Sequence, residues 1–328
     1  MIRSRFFIIC LFAICMLTIW VSVASGVARV ILARPAQTAE TAYYYIAPGS
    51  GLLRASYVAE KQGIVASAWH FRVAAQILGM ERSLQAGEYE LVPGMSLRAT
   101  FTKIERGERF LRRLAVPEGR SVAEVEAILE GSFGLDMSDY SRPAEGSLLP
   151  DTYFYERGDS AKKLIGRMQV ALWAEVDRLW ASRQASLPLQ SPEEALILAS
   201  IVEKETAVAS ERPLVAAVFI NRLKRGMRLQ SDPTVIYGIT SGETLDRPIM
   251  RSDLNKTTPY NTYRIGGLPP TPIANPGRAS IAAVLNPADV SYLYFVADGS
   301  GGHAFADTLN EHNRNVARWR QIEAKSRR

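Results

Sequence analysis

Phe6 to Ala28 runs for 23 residues without a charge, and no other feature limits so strongly where this chain can fold. Crossing the hydrocarbon core of a bilayer takes about 20 helical residues, so the run is long enough to span. A cleaved signal peptide is the competing reading, with Ser22-Val23-Ala24 as a passable small-residue site. The length of the run and the lack of a polar stretch after that site favour a retained anchor. Neither Cys10 nor Cys15 follows the small residue that a lipoprotein site requires. Arg3 and Arg5 precede the run and Arg29 and Arg34 follow it, so charge leaves the orientation undecided.

The same arginines account for the basic balance. The net charge is +6, yet without those four the remaining 35 basic residues face 33 acidic ones. The excess is a membrane flank, which argues against nucleic acid as a partner. Both cysteines lie inside the apolar run, so the rest of the chain has no disulfide, no thiol nucleophile and no Cys-ligated zinc. His70, His303 and His312 are too scattered in sequence to suggest a metal site. Neither a GxxxxGK[ST] loop nor a GxGxxG turn after a strand is present, so no nucleotide, cofactor or metal is expected.

Beyond the anchor the sequence predicts an α+β protein. Residues 29–42 read as a linker, 43–115 as a small α/β module and 116–328 as a larger α+β domain. In the module, Tyr43 to Ile46 and Gln85 to Val92 read as strands. Pro48-Gly49-Ser50-Gly51 turns into a helix, Ile64 to Leu78 carries a second helical pattern, and Ser96 caps a third through about Arg106. A strand, two short helices and a strand resemble a LysM-like module, a small glycan-binding fold; a plain spacer is the alternative. Arg112 to Val116 predicts another strand, and Pro117-Glu118-Gly119-Arg120-Ser121 opens a helix to about Gly131. This repeats the strand, turn and helix of Tyr43 to Ala59. In Glu145 to Tyr153, Asp151 and Tyr153 either meet sugar hydroxyls or cap and pack. Ser160 to Arg183 is amphipathic, with Leu164, Met168, Leu172, Val176 and Leu179 near one face.

Function concentrates in Ser191 to Gly238. Ser191 caps a helix, Pro192 suits its first position, and Glu193 and Glu194 complement the positive end. The helical pattern continues to Ser210, with Ile197, Leu198, Ile201, Val202, Val208 and Ala209 on one broad apolar arc. Glu205 falls within that arc. A carboxyl group there loses hydration and its pKa rises unless a cation or donors compensate. That is the state a general acid needs. A structural ion pair with a buried arginine is the alternative. Glu203 points to the opposite side of the helix.

A second helix, Glu211 to Arg225, stops at Gly226. Gln230, Ser231 and Asp232 then cluster ahead of Pro233, with Tyr237 beyond. The stretch from Pro259 to Pro276 holds five prolines, which stiffen a loop carrying Tyr260, Asn261, Tyr263 and Asn275. Aromatic faces and amides on a stiff loop suit a sugar chain. His303, in the turn Asp298 to Phe305, is read either as a substrate contact or as a turn residue.

SIVEKETA, ERPLVAAVFINRLKRGMRLQSDPTVIYG, PYNTYRIGGLPPTPIANPG and YLYFVADGSGGHAFADTLNEHN, taken in order, resemble the endolytic murein transglycosylase (YceG-like) family. The matching segments cover most of the chain from about Gly146 to Trp319. The resemblance implies a catalytic glutamate on this helix, carried to Glu205 for its Glu-Thr pair and apolar flank, with Glu203 as runner-up. It implies a binding role among Gln230, Ser231, Asp232, Tyr237, Tyr260, Asn261, Tyr263, Asn275 and His303. It implies cleavage of the β-1,4 bond between N-acetylmuramic acid and N-acetylglucosamine within peptidoglycan strands, closing a 1,6-anhydro end. Residues 1–5 would then be cytoplasmic, 6–28 would span the inner membrane once, and the bulk would lie in the periplasm beside peptidoglycan synthases. A hydrolytic muramidase pairing Glu205 with Asp232, and a non-catalytic wall-binding scaffold, are the other readings.

Overall fold

The structure, a computed structural model, describes residues 2–326, with side chains from Leu11 to Lys325. Met1, part of the segment expected ahead of the anchor, and the last two arginines lie outside the described residues. The chain divides into two compact units, one up to Arg112 and one from Arg113.

The first unit opens with α1 (Ile2–Ala33), which from Leu11 to Ala33 is long and apolar enough to cross a membrane. Its last turn behaves differently, because Ile31 and Leu32 are buried in the unit's core. The expected linker is therefore bound in rather than loose. The Ala36 amide donates to the Met95 carbonyl at 2.7 Å, and the Leu97 amide to the Arg34 carbonyl at 2.9 Å. Then follow β1 (Ala42–Ile46), α2 (Leu52–Lys61), α3 (Ala68–Ile77), β2 (Gly87–Leu91) and α4 (Leu97–Arg106). α3 starts later than the helical pattern from Ile64 suggested. Gly63, at φ +68°, ends α2, and Ser67 restarts the helix as its cap. β1 and β2 pair antiparallel with Tyr44 opposite Tyr89. Strand alternation turns both rings inward. Burying a phenol needs a partner, and Tyr44 donates to the Ala55 carbonyl while Tyr89 donates to that of Gln85.

In the second unit β3 (Arg112–Ala115) pairs with β4 (Thr152–Tyr155), and α5 (Val122–Glu130) lies between them in sequence. α5 starts on a capping box of Ser121 and Glu124. Six helices follow: α6 (Ala161–Ala181), α7 (Pro192–Glu205), α8 (Arg212–Lys224), α9 (Asp232–Thr240), α10 (Arg251–Asn255) and α11 (Arg278–Leu285). The hairpin of β5 (Tyr294–Ala297) and β6 (His303–Ala306) and then α12 (Leu309–Ser326) complete the chain as described. α7 is the centre of this unit. Every residue from Ala195 to Val202 is buried, and α8, α9 and α11 pack around it. A helix enclosed on all sides carries no narrow apolar stripe, which explains why its pattern read as a broad arc.

α7 ends at Glu205, not at Ser210. Thr206 turns extended (φ −140°, ψ 131°), and its hydroxyl accepts from the Val208 amide at 3.1 Å. Pro233 occupies the first turn of α9, where its missing N–H costs nothing.

Candidate active site

The early stop of α7 places Glu205 on the last helical residue, where the helix presents its negative end. Burial pushes the Glu205 carboxyl up to about 6, and the nearby Asp232 charge pushes the same way. Ser231, His303 and Arg222 oppose them. The Ser231 hydroxyl donates to Glu205 Oε1 at 2.5 Å. Arg222 is buried, but it spends Nε on the Leu293 carbonyl and Nη1 on that of Leu229, both at 2.7 Å.

Glu203, two residues away, is the acid locked to an arginine. Its Oε1 lies 3.5 Å from an Arg212 nitrogen, its Oε2 accepts from the Gly277 amide at 2.9 Å, and its side chain is 6% exposed. A Cβ at Gly277 would stand 1.9 Å from Glu118 Oε1, so any larger residue there would push the exposed Glu118 side chain aside. The buried ion pair weighed for Glu205 thus belongs to its neighbour.

A tight polar frame holds the Ser231 side of the site. The Ser231 amide donates to Thr262 Oγ1 at 2.9 Å, and the Gln230 amide to the Thr262 carbonyl at 3.2 Å. Gln230 sits at φ +53°, a strained conformation for a side-chain-bearing residue. The Tyr263 hydroxyl donates to Asp232 Oδ1 at 2.6 Å. On the other side of Glu205, Glu211 takes the His303 amide (2.8 Å) and faces His303 Nδ1 (2.7 Å), while the Thr206 hydroxyl donates to it.

Glu205 lines two cavities. One, of about 380 Å³, is walled by Arg222, Gln230, Asp232, Tyr263, Tyr294 and His312 among others. The second, of about 400 Å³, runs past Thr206, Arg212, Lys204 and Arg120. Lys204 also lines a third of about 320 Å³, which reaches Tyr237. Space for a ligand therefore lies on both sides of Glu205. Among the described residues no cluster of His, Cys, Asp or Glu could hold a metal ion.

Of the residues singled out in the sequence, Ser231, Asp232, Gln230, Tyr263 and His303 surround Glu205. Tyr237 and Tyr260 meet edge to face at 4.8 Å. Tyr237 lines the third cavity near Glu145, whose carboxyl is pushed up by burial. Asn261 and Asn275 are fully buried and do not face a ligand. The Asn261 amide donates to the Lys256 and Leu254 carbonyls, and Asn275 bridges the Leu148 amide and the Arg120 carbonyl. Both shape the loops. Asp151, which is exposed, pairs with Arg278 at 2.9 Å, and the Tyr153 hydroxyl donates to the Leu149 carbonyl. Sequence reasoning missed Arg222, though it shares a helical stripe with Val215 and Phe219, and Glu211, which read only as a helix start.

A model of the YceG-like family matches residues 44–318. A Bacillus subtilis (strain 168) protein named endolytic murein transglycosylase is 30% identical over 305 residues, 82% of each chain. A Streptococcus pneumoniae (strain D39) protein of that name is 28% identical over 318 residues, 83% of this chain and 57% of its own length. A crystal structure of a yceG-like protein from Listeria monocytogenes matches with a TM-score of 0.52 at 29% identity, over 84% of this chain and 99% of that one. With its family match running through both units and its relatives aligned across most of its length, this chain belongs to the YceG-like family.

Proposed function

We propose that this protein is an endolytic murein transglycosylase and that Glu205 is its catalytic acid. The observation that carries the reading is one half-buried carboxyl with a raised pKa, at the junction of two cavities. A site open on both sides admits the interior of a strand, and the curated relatives bear the corresponding name. Glu205 donates its proton to the glycosidic oxygen between N-acetylmuramic acid and N-acetylglucosamine. Charge building at the anomeric carbon is met by the substrate's own N-acetyl group. The ionised Glu205 then takes the proton of the C6 hydroxyl, and that oxygen closes on the anomeric carbon to leave a 1,6-anhydro end. Gln230, Ser231, Asp232, Tyr263 and His303 position sugar around the acid, with Tyr237 and Tyr260 further along. No cofactor is required.

Asp232 favours a second reading, because it brings another carboxylate to the same cavity, as hydrolytic glycosidases require. Its bond to Tyr263 makes it a positioning group in the first scheme. Mass analysis of the ends released from purified, uncrosslinked glycan strands decides. Anhydro ends support transglycosylation and reducing ends support hydrolysis. Fragments released by Glu205→Gln as fast as by the parent would remove Glu205 from either mechanism.

The same proposal places α1 as a retained single span of the inner membrane, with the second unit in the periplasm beside peptidoglycan synthases. The order β1, α2, α3, β2 supports describing the first unit as a LysM-like module.

A further inference from the structure

The last turn of α1 is built into the first unit, and this fixes how far that unit can stand from whatever α1 crosses. Arg29 is the first charge after the uncharged run, and Arg34 lies five residues on, about 7 Å along a helix rising 1.5 Å per residue. The polar zone of a bilayer is roughly 5–8 Å deep on each side. The chain therefore leaves α1 at the level of the headgroups. It has no slack there, because Ile31 and Leu32 are core residues and Ala36 and Gln37 donate to the Met95 and Ile64 carbonyls.

Two loop tips are fixed to this exit. The turn from Val92 to Met95 is held by the Met95 carbonyl and by the bridge between Pro35 and Ser96. The start of α3 lies beside this exit, because α1 packs on α3, and His70 lines a cavity of about 140 Å³ with Arg34, Pro35 and Gln37. The Trp69 ring stands edge-on to the His70 ring at 5.3 Å. These tips present apolar groups outward, with Trp69 52% and Val92 46% exposed. Arg34, which lines the His70 cavity, and Arg98, in the first turn of α4, are both exposed. An indole next to arginines suits a membrane–water interface, where the ring enters the acyl boundary and guanidinium groups meet phosphates.

We propose that Trp69 and Val92, with Arg34 and Arg98, form a collar that seats the first unit on lipid headgroups. Trp69 then contacts phospholipid rather than glycan. This rests on the reading of α1 as a retained span.

The test uses the full chain in nanodiscs of phosphatidylethanolamine and phosphatidylglycerol, with Cys10→Ser and Cys15→Ser. A single nitroxide is attached through Trp20→Cys, Trp69→Cys or Val92→Cys. Relaxation by oxygen, which partitions into lipid, is compared with relaxation by a water-soluble nickel chelate. The expected ratio of oxygen to nickel effect is highest at 20 and intermediate at 69 and 92, unchanged by added glycan strands. Aqueous ratios at 69 and 92 with a lipid ratio at 20 overturn the collar and leave the anchor standing. An aqueous ratio at 20 removes both. Protection of position 69 from nickel by uncrosslinked glycan strands assigns Trp69 to sugar, and the collar falls.

Discussion

The two faces of the last turn of α7 carry one glutamate each, and they have been put to opposite uses. On one face Glu203 meets Arg212 and the Gly277 amide, tying the Pro-rich loop to the helix. The next amide anchor is similar in kind, with the Ile273 N–H donating to Ser200 Oγ at 3.0 Å. On the other face Glu205 receives one hydroxyl, sees a like charge from Asp232, and opens onto two cavities. The same side chain becomes a fastener where its charge is matched and a proton store where it is not. Local chemistry, not residue type, separates the roles.

The strongest way to break this comparison is to neutralise each acid without changing its size. Glu205→Gln is expected to lower the rate of strand cleavage by at least about a hundredfold, the usual minimum for a general acid, with the fold intact by circular dichroism. Glu203→Gln is expected to act on stability instead. It leaves Arg212 with only the Glu118 contact at 3.6 Å, and breaking a buried pair costs about 3 kcal/mol. Denaturant unfolding reads that loss. If Glu203→Gln abolished cleavage in a fully folded protein, the two faces would have to exchange roles.

A smaller effect follows from the raised pKa. Between pH 4.5, the ordinary value, and about 6 the folded protein holds a proton on Glu205 that the unfolded chain releases. Stability therefore falls as pH rises through that window. By linkage the cost at neutral pH is about 2 kcal/mol. Glu205→Gln removes it, so the inactive variant should be the more stable one at pH 7 and no more stable at pH 4. In the parent, kcat/KM should decline as pH rises past about 6, because the acid must be protonated in the free enzyme.

Much of this was legible in the sequence, and the exceptions share a cause. The serine caps at Ser96 and Ser191, the helix start at Ser121 and the stop at Gly226 are local signals, and each corresponds to an element boundary observed. Glu205 stood out because an acid on an apolar arc is visible at helical spacing. The end of α7 was not legible, since Thr206 leaves the helix to serve Val208 and Glu211, and Glu211 in turn is fixed by His303, 92 residues later. Asn275 misled for the same reason, whereas the partners of Asn261 lie only 5 and 7 residues away, in the turn it closes. An asparagine on a proline-stiffened loop looks like a ligand contact until its buried partners are known, and those of Asn275 lie 127 and 155 residues away.

The finest test separates the two neighbours of Glu205 that act on its proton in opposite senses. The Ser231 hydroxyl stabilises the ionised carboxylate, so Ser231→Ala should raise the Glu205 pKa and carry the alkaline decline of kcat/KM to higher pH. Asp232 disfavours the second charge, so Asp232→Asn should carry the decline to lower pH, while an asparagine oxygen still accepts from Tyr263. Each change at neutral pH should stay below about tenfold, equivalent to one pKa unit. The sign is the informative part. A loss of packing or substrate affinity would lower activity in both variants without moving either profile, whereas displacement in opposite directions requires that both side chains act through one titrating carboxyl between them. A profile unmoved by either substitution would assign the decline to a group other than Glu205, and the unmatched face of α7 would lose its claim to be the proton store.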